Sequence, residues 1–168
     1  MTRSILVVGI LLLAGGCSRS TPATNESKAE KKPEPAQAAI TAATPERLNQ
    51  GKAVFARTCA ACHQPNGAGV KGVFPPLEPT VVSADPVRLI RIVLHGLQGP
   101  MTVAGVNYNS VMPPQGAMLK DHEIANVLTY VRHTWGNQAG AIEPEAIADE
   151  RAKTKRTNMW TWAELNQP

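Results

Sequence analysis

Cysteine and aromatic residues are scarce in this chain of 168 residues: three cysteines, three tryptophans, two tyrosines and two phenylalanines. Three cysteines are too few for a disulfide framework, so small disulfide-built folds are excluded. No apolar run reaches the roughly twenty residues needed to span a bilayer; the run from Ile5 to Ala14 is about half that length, which excludes a polytopic membrane protein. Positive charge is thin as well. The net charge of +4, from 17 Lys and Arg against 13 Asp and Glu, is far from the dense basic stripe that phosphate neutralisation requires, and nucleic acid is not an expected partner. Neither an internal repeat nor a sustained apolar/polar alternation occurs, so solenoids and sheet-based folds are not expected. At 43% hydrophobic, the chain has enough for one domain of ordinary size, with residues to spare.

The spare residues lie at the ends. Arg3 followed by Ile5–Ala14 has the form of a secretory signal core, and it closes on Gly15-Gly16-Cys17. Small residues leading into a cysteine resemble a bacterial lipoprotein signal, which implies a signal peptide over 1–16 and lipidation at Cys17. The alternative is an ordinary secretory signal with Cys17 as a passenger thiol and a soluble periplasmic product. From 17 to 44 the chain is rich in Ala, Pro, Thr, Lys and Glu, with Ile40 as its one large aliphatic side chain, and it has too little apolar surface to fold. It is expected to be a flexible linker, extended by Pro22, Pro33 and Pro35. Eight Lys and Arg against five Asp and Glu fall between 45 and 137, so the basic excess belongs to the central domain.

Within 45–137 the pattern predicts an all-α domain. Thr44-Pro45 is a helix start, and Leu48, Gly51 and Phe55 recur at helical spacing up to Cys59. Asp85-Pro86 repeats that signal, with Ile90, Val93, Leu94 and Leu97 as an apolar stripe, Arg88, Arg91 and His95 on the other side, and Gly96 as the stop. Asp121 is the expected cap of a third helix running to Gly136. Ile124, Val127, Leu128, Val131 and Trp135 form its apolar face, and His122, Asn126, Thr129 and His133 its polar one. Gly- and Pro-rich stretches over 64–83 and 98–118 separate these helices. Five aromatics are a thin core for so many loop residues, and loops of that length commonly wrap something. The segment 138–168 is a C-terminal extension. Glu143-Pro144-Glu145 could start a helix through Thr157, and Trp160 and Trp162 are expected to pack back on the domain.

Cys59-Ala60-Ala61-Cys62-His63 names what the loops would wrap. Two thiols three residues apart, followed at once by an imidazole, suit thioether bonds to the two vinyl groups of one haem with the histidine under its iron. A zinc site would need a further Cys or His pair, and none has the spacing. A thioredoxin-like site would need a strand before the cysteines, where the pattern is helical. The cysteine count then closes, with one for lipid and two for haem.

From this motif onward, residues 45–137 resemble the class I c-type cytochromes. The matching features are Gly51 and Phe55 before the motif, Phe74-Pro75-Pro76-Leu77 after it, Tyr108-Asn109-Ser110-Val111-Met112-Pro113-Pro114, and Leu128-Thr129-Tyr130-Val131-Arg132, in that order. More narrowly, Val93-Leu94-His95-Gly96-Leu97-Gln98-Gly99-Pro100 and Trp135-Gly136-Asn137 are similar to the monohaem domains that accompany periplasmic dehydrogenases and copper nitrite reductases. The resemblance implies a cytochrome c fold, in which N- and C-terminal helices cross and long loops surround one covalently attached haem c. It also implies His63 and Met112 as the iron ligands, and a carbonyl of Pro75, or alternatively Pro76, accepting the second ring N–H of His63. Independently, Met112 lies forty-nine residues beyond His63 and precedes Pro113-Pro114, which hold the backbone stiff. Met118 is the next candidate, then Met101. A second histidine ligand would have to be His95, His122 or His133, each better placed for a solvated or helix-end role.

With both axial positions filled, no site remains for a substrate, and the expected function is single-electron transfer between redox proteins. The expected location is the periplasmic side of a bacterial membrane, with Cys17 as the lipid anchor. The protein would be an electron carrier rather than an enzyme, and no small-molecule substrate is expected. Partners should dock weakly on a small surface, with Arg88, Arg91, Lys52 and Lys71 either attracting an acidic partner or merely solvating a face. The competing expectation is a haem-based sensor or peroxidase-like enzyme with an open distal position.

Overall fold

The structure is a computed structural model that describes residues 43–78 and 85–167. Cys17, the expected signal and nearly all of the expected linker lie outside the described residues. Helix α1 spans Pro45–Thr58, with the Thr44 side chain accepting from the Arg47 amide at 3.3 Å. A short helix α2, Ala60–His63, follows after a kink at Cys59. Helix α3, Pro86–His95, starts where the Asp85 carboxylate accepts from the Val87 amide and stops at Gly96, whose φ of +79° suits glycine. Helix α4 is Asp121–Val131 and helix α5 is Pro144–Lys153. A last short helix, α6, is Trp162–Leu165.

Helices α1 and α4 pack against each other more extensively than any other pair of elements. Gly51 makes this possible, because a Cβ there would stand 2.1 Å from the Asn126 carbonyl oxygen and 2.6 Å from Tyr130 Cβ. Three of the five domain aromatics gather at this crossing. Phe55, Tyr130 and Trp135 have ring centroids 5.0–5.7 Å apart in tilted and edge-to-face pairs. Around them Val54, Ile90, Leu94, Ile124, Val127, Leu128, Ile142 and Ile147 form the main core.

Helix α4 departs from its sequence pattern at both ends. Lys120 is the N-cap, because Glu123 reaches back to the Lys120 amide at 3.0 Å while Asp121 turns to Arg151 at 2.8 Å. The helix ends at Val131, five residues early. The Thr134 hydroxyl takes the Tyr130 carbonyl, the chain tightens, and Trp135 and Gly136 adopt positive φ, which swings the Trp135 ring onto Phe55. The face expected to be polar is also buried at two of its four positions. Thr129 is fully buried beneath the segment around Ile142, and Asn126 nearly so against Gln50 and Gly51 of α1. The Ile142 amide donates to Thr129 Oγ1 at 3.0 Å, Arg47 reaches Asn126 Oδ1 at 3.2 Å and Glu143 at 2.8 Å, and Asn126 donates to Gln50 at 2.7 Å. These buried polar groups are therefore satisfied.

Two very short ladders complete the fold. β1, Leu97–Gln98, pairs in parallel with β4, Trp160–Thr161, while β2, Met101–Val103, forms a hairpin with β3, Val106–Tyr108, across Ala104-Gly105, both at positive φ. Runs of two and three residues are too short to register as alternation, which is why an otherwise all-α pattern hid them. A second apolar cluster sits here: Ile92, Leu97, Met101, Val103, Tyr108 and Leu165, with Trp160 and Trp162 packed against it. The helix predicted through Thr157 ends at Lys153. Arg88 and Arg91 are engaged by this C-terminal segment: Arg91 pairs with Glu150 at 2.6 Å, and Arg88 donates to Asn166 and lies over the Trp162 ring. Among the described residues, no helix is long and apolar enough to cross a membrane.

Candidate cofactor site

Between the two clusters lies a deep cleft enclosing about 790 Å³, open mouth included. Its walls are almost wholly apolar: Leu89, Ile92 and Val93 from α3, Val127, Leu128 and Val131 from α4, Leu97 from β1, with Leu77 and Leu119 from loops. Against that lining stand Cys59, His63, Pro75 and Met112. Residues from two separate stretches of the chain thus share one cavity.

The Cys59–His63 wall is built locally. Cys59 and Cys62 fall one helical turn apart, so their side chains neighbour each other; both are free thiols and half-buried, and Cys59 lines the cleft. Burial pushes the Cys59 thiol up to about 11, a little offset by Arg57 and raised further by Cys62, so it is protonated and a weak nucleophile at neutral pH. The loop after α2 folds back through Gly69 N–H to the His63 carbonyl at 2.9 Å and Leu77 N–H to the Gly67 carbonyl at 2.8 Å. This brings the Pro75 carbonyl 3.0 Å from His63 Nδ1. With Nδ1–H donating there, Nε2 carries the lone pair. Burial lowers the His63 pKa while the Pro75 bond works against that, leaving the ring neutral and ready to ligate at pH 7. Gly69 is indispensable to this turn: its φ is +62°, and a Cβ would meet the carbonyl oxygens of Phe74 at 2.2 Å and Pro75 at 2.7 Å. Asn137 ties the same loop to α4, donating to the carbonyls of Leu77 and Val131 at 2.9 and 2.8 Å.

The opposite residues come from assembled segments. Met112 exchanges two backbone hydrogen bonds with Leu97, at 3.0 and 2.9 Å, and the next turn is anchored by Gln115 N–H to the Val93 carbonyl and Gly116 N–H to the Leu94 carbonyl. Met101 also lines the cleft, from the hairpin. Met118 does not. It is 77% exposed, which reverses the expected order of the two rivals, because the turn at Gln115–Leu119 directs Leu119 inward instead. None of His95, His122 and His133 lines the cleft. His133 Nδ1 lies 2.9 Å from the Thr129 carbonyl, and His95, expected in a solvated or helix-end role, is the last residue of α3 with its Nε2 buried and unpartnered.

Sequence reasoning assigned no site role to Gly69, Asn137 or Trp162. Gly69 carried a signal, a glycine shortly after the motif in a loop that must double back; Trp162, expected to pack back on the domain, does so and also lines the cleft, a place that depends on a strand pairing. Among the described residues no three His, Cys, Asp or Glu side chains converge as a metal-ion site. One neutral imidazole, a thioether and the Cys59 thiol bordering an apolar slot, with the Cys62 thiol one helical turn away, fit a haem, whose macrocycle is apolar and whose iron takes nitrogen and sulfur ligands.

Comparison with known proteins agrees with that chemistry. Residues 48–135 match the family model described as cytochrome c. The chain is 44% identical over 116 residues to cytochrome c-552 of Thermus thermophilus, covering 66% of this chain and 87% of that protein. It is 35% identical over 92 residues to the cytochrome c subunit of the quinone alcohol dehydrogenase of Gluconacetobacter polyoxogenes, covering 53% of this chain and 19% of that subunit. It is 36% identical over 94 residues to the cytochrome c subunit of gluconate 2-dehydrogenase from Pantoea cypripedii, covering 54% and 21%.

Proposed function

The chain belongs to the cytochrome c family and carries haem c, and from that premise we propose that it is an exported monohaem electron carrier, tethered by lipid at Cys17 to the periplasmic side of a bacterial membrane. Cys59 and Cys62 attach the haem, and His63 and Met112 ligate its iron. The observation that carries the reading is that His63, oriented by Pro75, and Met112 line one apolar cleft.

When bound, the haem supplies a one-electron couple. The chain's residues do the rest. The Pro75 carbonyl holds the Nδ1–H of His63, fixing the ring's orientation and its donor strength. The Met112 thioether favours the reduced iron and raises the potential relative to a second histidine. Apolar side chains of α3 and α4 keep water from the cleft. With both ligand positions taken by the chain, no substrate is activated, and partners exchange electrons at the cleft's mouth through small, transient contacts. The similarity to dehydrogenase cytochrome subunits supports a periplasmic dehydrogenase as one partner class. Residues 17–44 then serve as the tether between anchor and domain.

The test is the visible spectrum of the matured protein, oxidised and reduced, with and without carbon monoxide. A low-spin c-type spectrum with the weak long-wavelength band of methionine on ferric iron, unchanged by carbon monoxide, is the expected result. A high-spin spectrum that responds to carbon monoxide would overturn it in favour of a ligand-binding sensor or peroxidase-like enzyme.

A further inference from the structure

Gly96-Leu97 stands between two segments that have no sequence proximity. On one side Leu97 exchanges backbone hydrogen bonds with Met112, and on the other the Trp160 amide donates to the Gly96 carbonyl at 3.1 Å, with Leu97 paired to Trp160 and Gln98 to Thr161. Gly96 itself is pressed from both directions. A Cβ there would lie 2.7 Å from the Met112 carbonyl oxygen and 2.8 Å from Met159 Cγ. The methionine loop, the central strand and the C-terminal strand therefore form one three-layered stack.

The outer layer is itself fastened. Arg156 lies 3.6 Å over the Trp160 ring and donates to the carbonyls of Asn158 at 2.7 Å and Met159 at 3.0 Å. Arg91, held by Glu150, approaches the same ring from α3 at 5.4 Å. The methionine loop is anchored to α3 only beyond Pro114, at the Gln115 and Gly116 amides. Pro113 and Pro114 have no N–H to donate, Val111 is 53% exposed, and the backbone pairing of Met112 itself runs through Leu97.

We propose that Met159–Thr161 is a positioning element for Met112: by pairing with the far edge of Gly96-Leu97 it holds that strand in the register that keeps the Met112 thioether in the cleft. The C-terminal strand thus controls how readily the sixth iron position opens, without touching the haem iron. This rests on the reading that Met112 is the sixth ligand.

The experiment uses the haem-loaded protein with Trp160→Ala, with Trp160→Pro, which removes the amide that bonds Gly96, and with a chain ending at Asn158. The expected result is a folded, haem-bearing protein whose methionine-to-ferric-iron band is lost on raising pH about one unit earlier, and whose ferrous form takes carbon monoxide about tenfold more readily, equivalent to about 1.4 kcal/mol. Ile147→Ala, on the buried face of α5, is the control: it lowers global stability but leaves the band and the carbon monoxide response in place. Trp160→Ala decides the matter if the shortened chain fails to fold. An unchanged band and carbon monoxide response in Trp160→Ala and Trp160→Pro overturns the proposal, and so does an equal effect from Ile147→Ala. If Met112→Ala leaves the wild-type band intact, the ligand assignment fails instead, and the two failures are told apart.

Discussion

The two walls of the cleft are made in different ways. The histidine wall is continuous: residues 59–77 hold Cys59, His63 and Pro75 within one looped segment, closed by its own backbone hydrogen bonds and by glycines at positive φ. The methionine wall is a stack of three segments, 96–98, 112–116 and 159–161, none of which is stable alone. A two-residue ladder gains too little on its own to order itself. The histidine wall is therefore expected to be rigid and insensitive to distant change, and the methionine wall to be the place where the molecule yields.

The largest effect should separate the walls outright. His63→Ala is expected to abolish the low-spin spectrum, whereas Met112→Ala should keep haem covalently bound, lose the methionine band, admit carbon monoxide and lower the reduction potential; optical titration of both variants reads this. A Met112 variant indistinguishable from wild type would move the sixth ligand to Met101, the other methionine on the cleft.

Glycine substitutions sharpen the contrast at a smaller scale. Gly69→Ala forces a left-handed conformation and a Cβ onto two backbone carbonyls, so a destabilisation of about 3 kcal/mol is expected in denaturant titration, with the methionine band retained. Gly96→Ala meets the flexible Met159 side chain on one side and the Met112 backbone on the other. It should cost about 2 kcal/mol and weaken the band, because the neighbour that must move carries the proposed ligand. Bands affected equally by the two changes would erase the distinction between the walls.

The smallest effect is in pH. His95, beside the stack, has its pKa lowered by burial first and then by Arg156 and Arg151, against the opposing pull of Glu150. Its unfolded form binds protons more readily, so stability should fall as pH drops below the ordinary histidine value of about 6.5 and level off once the folded form is protonated too. Glu150 acts in the same direction at lower pH. Burial alone would raise its pKa, but bonds from Thr154 and Arg91 outweigh that, so its contribution, present above the ordinary carboxylate range, is lost as pH falls through its lowered value. Denaturant midpoints of wild type and His95→Gln between pH 7 and 5 check the first: the variant should show the shallower decline.

Much of the histidine wall was legible because its information is local. A motif of five residues fixes the chemistry, and the order of Gly51, Phe55 and the Phe74–Leu77 stretch around it carries the family resemblance. What was misread depended on long-range cover. Asn126 and Thr129 read as a polar face, yet both are buried: Thr129 is bonded by Ile142 of the segment after α4, and Asn126 by Gln50 and Arg47 of α1. Met118 looked like a better alternative than Met101, but a turn exposes one and a hairpin buries the other. Arg88 and Arg91 read as a docking face or a merely solvated one, and the C-terminal segment takes both.

By itself the sequence determined that this is an all-α chain of the cytochrome c family with haem c as its cofactor, because thiol spacing, helix caps and apolar periodicity act over a few residues. Only the tertiary structure decided that Met101 and Met112 but not Met118 face the cleft, that Pro75 is the carbonyl facing His63 Nδ1, and that the C-terminal strand backs the methionine loop. Those outcomes are settled by which distant segments exclude water from one another, and that competition is won by packing over the whole fold rather than by any short stretch of sequence.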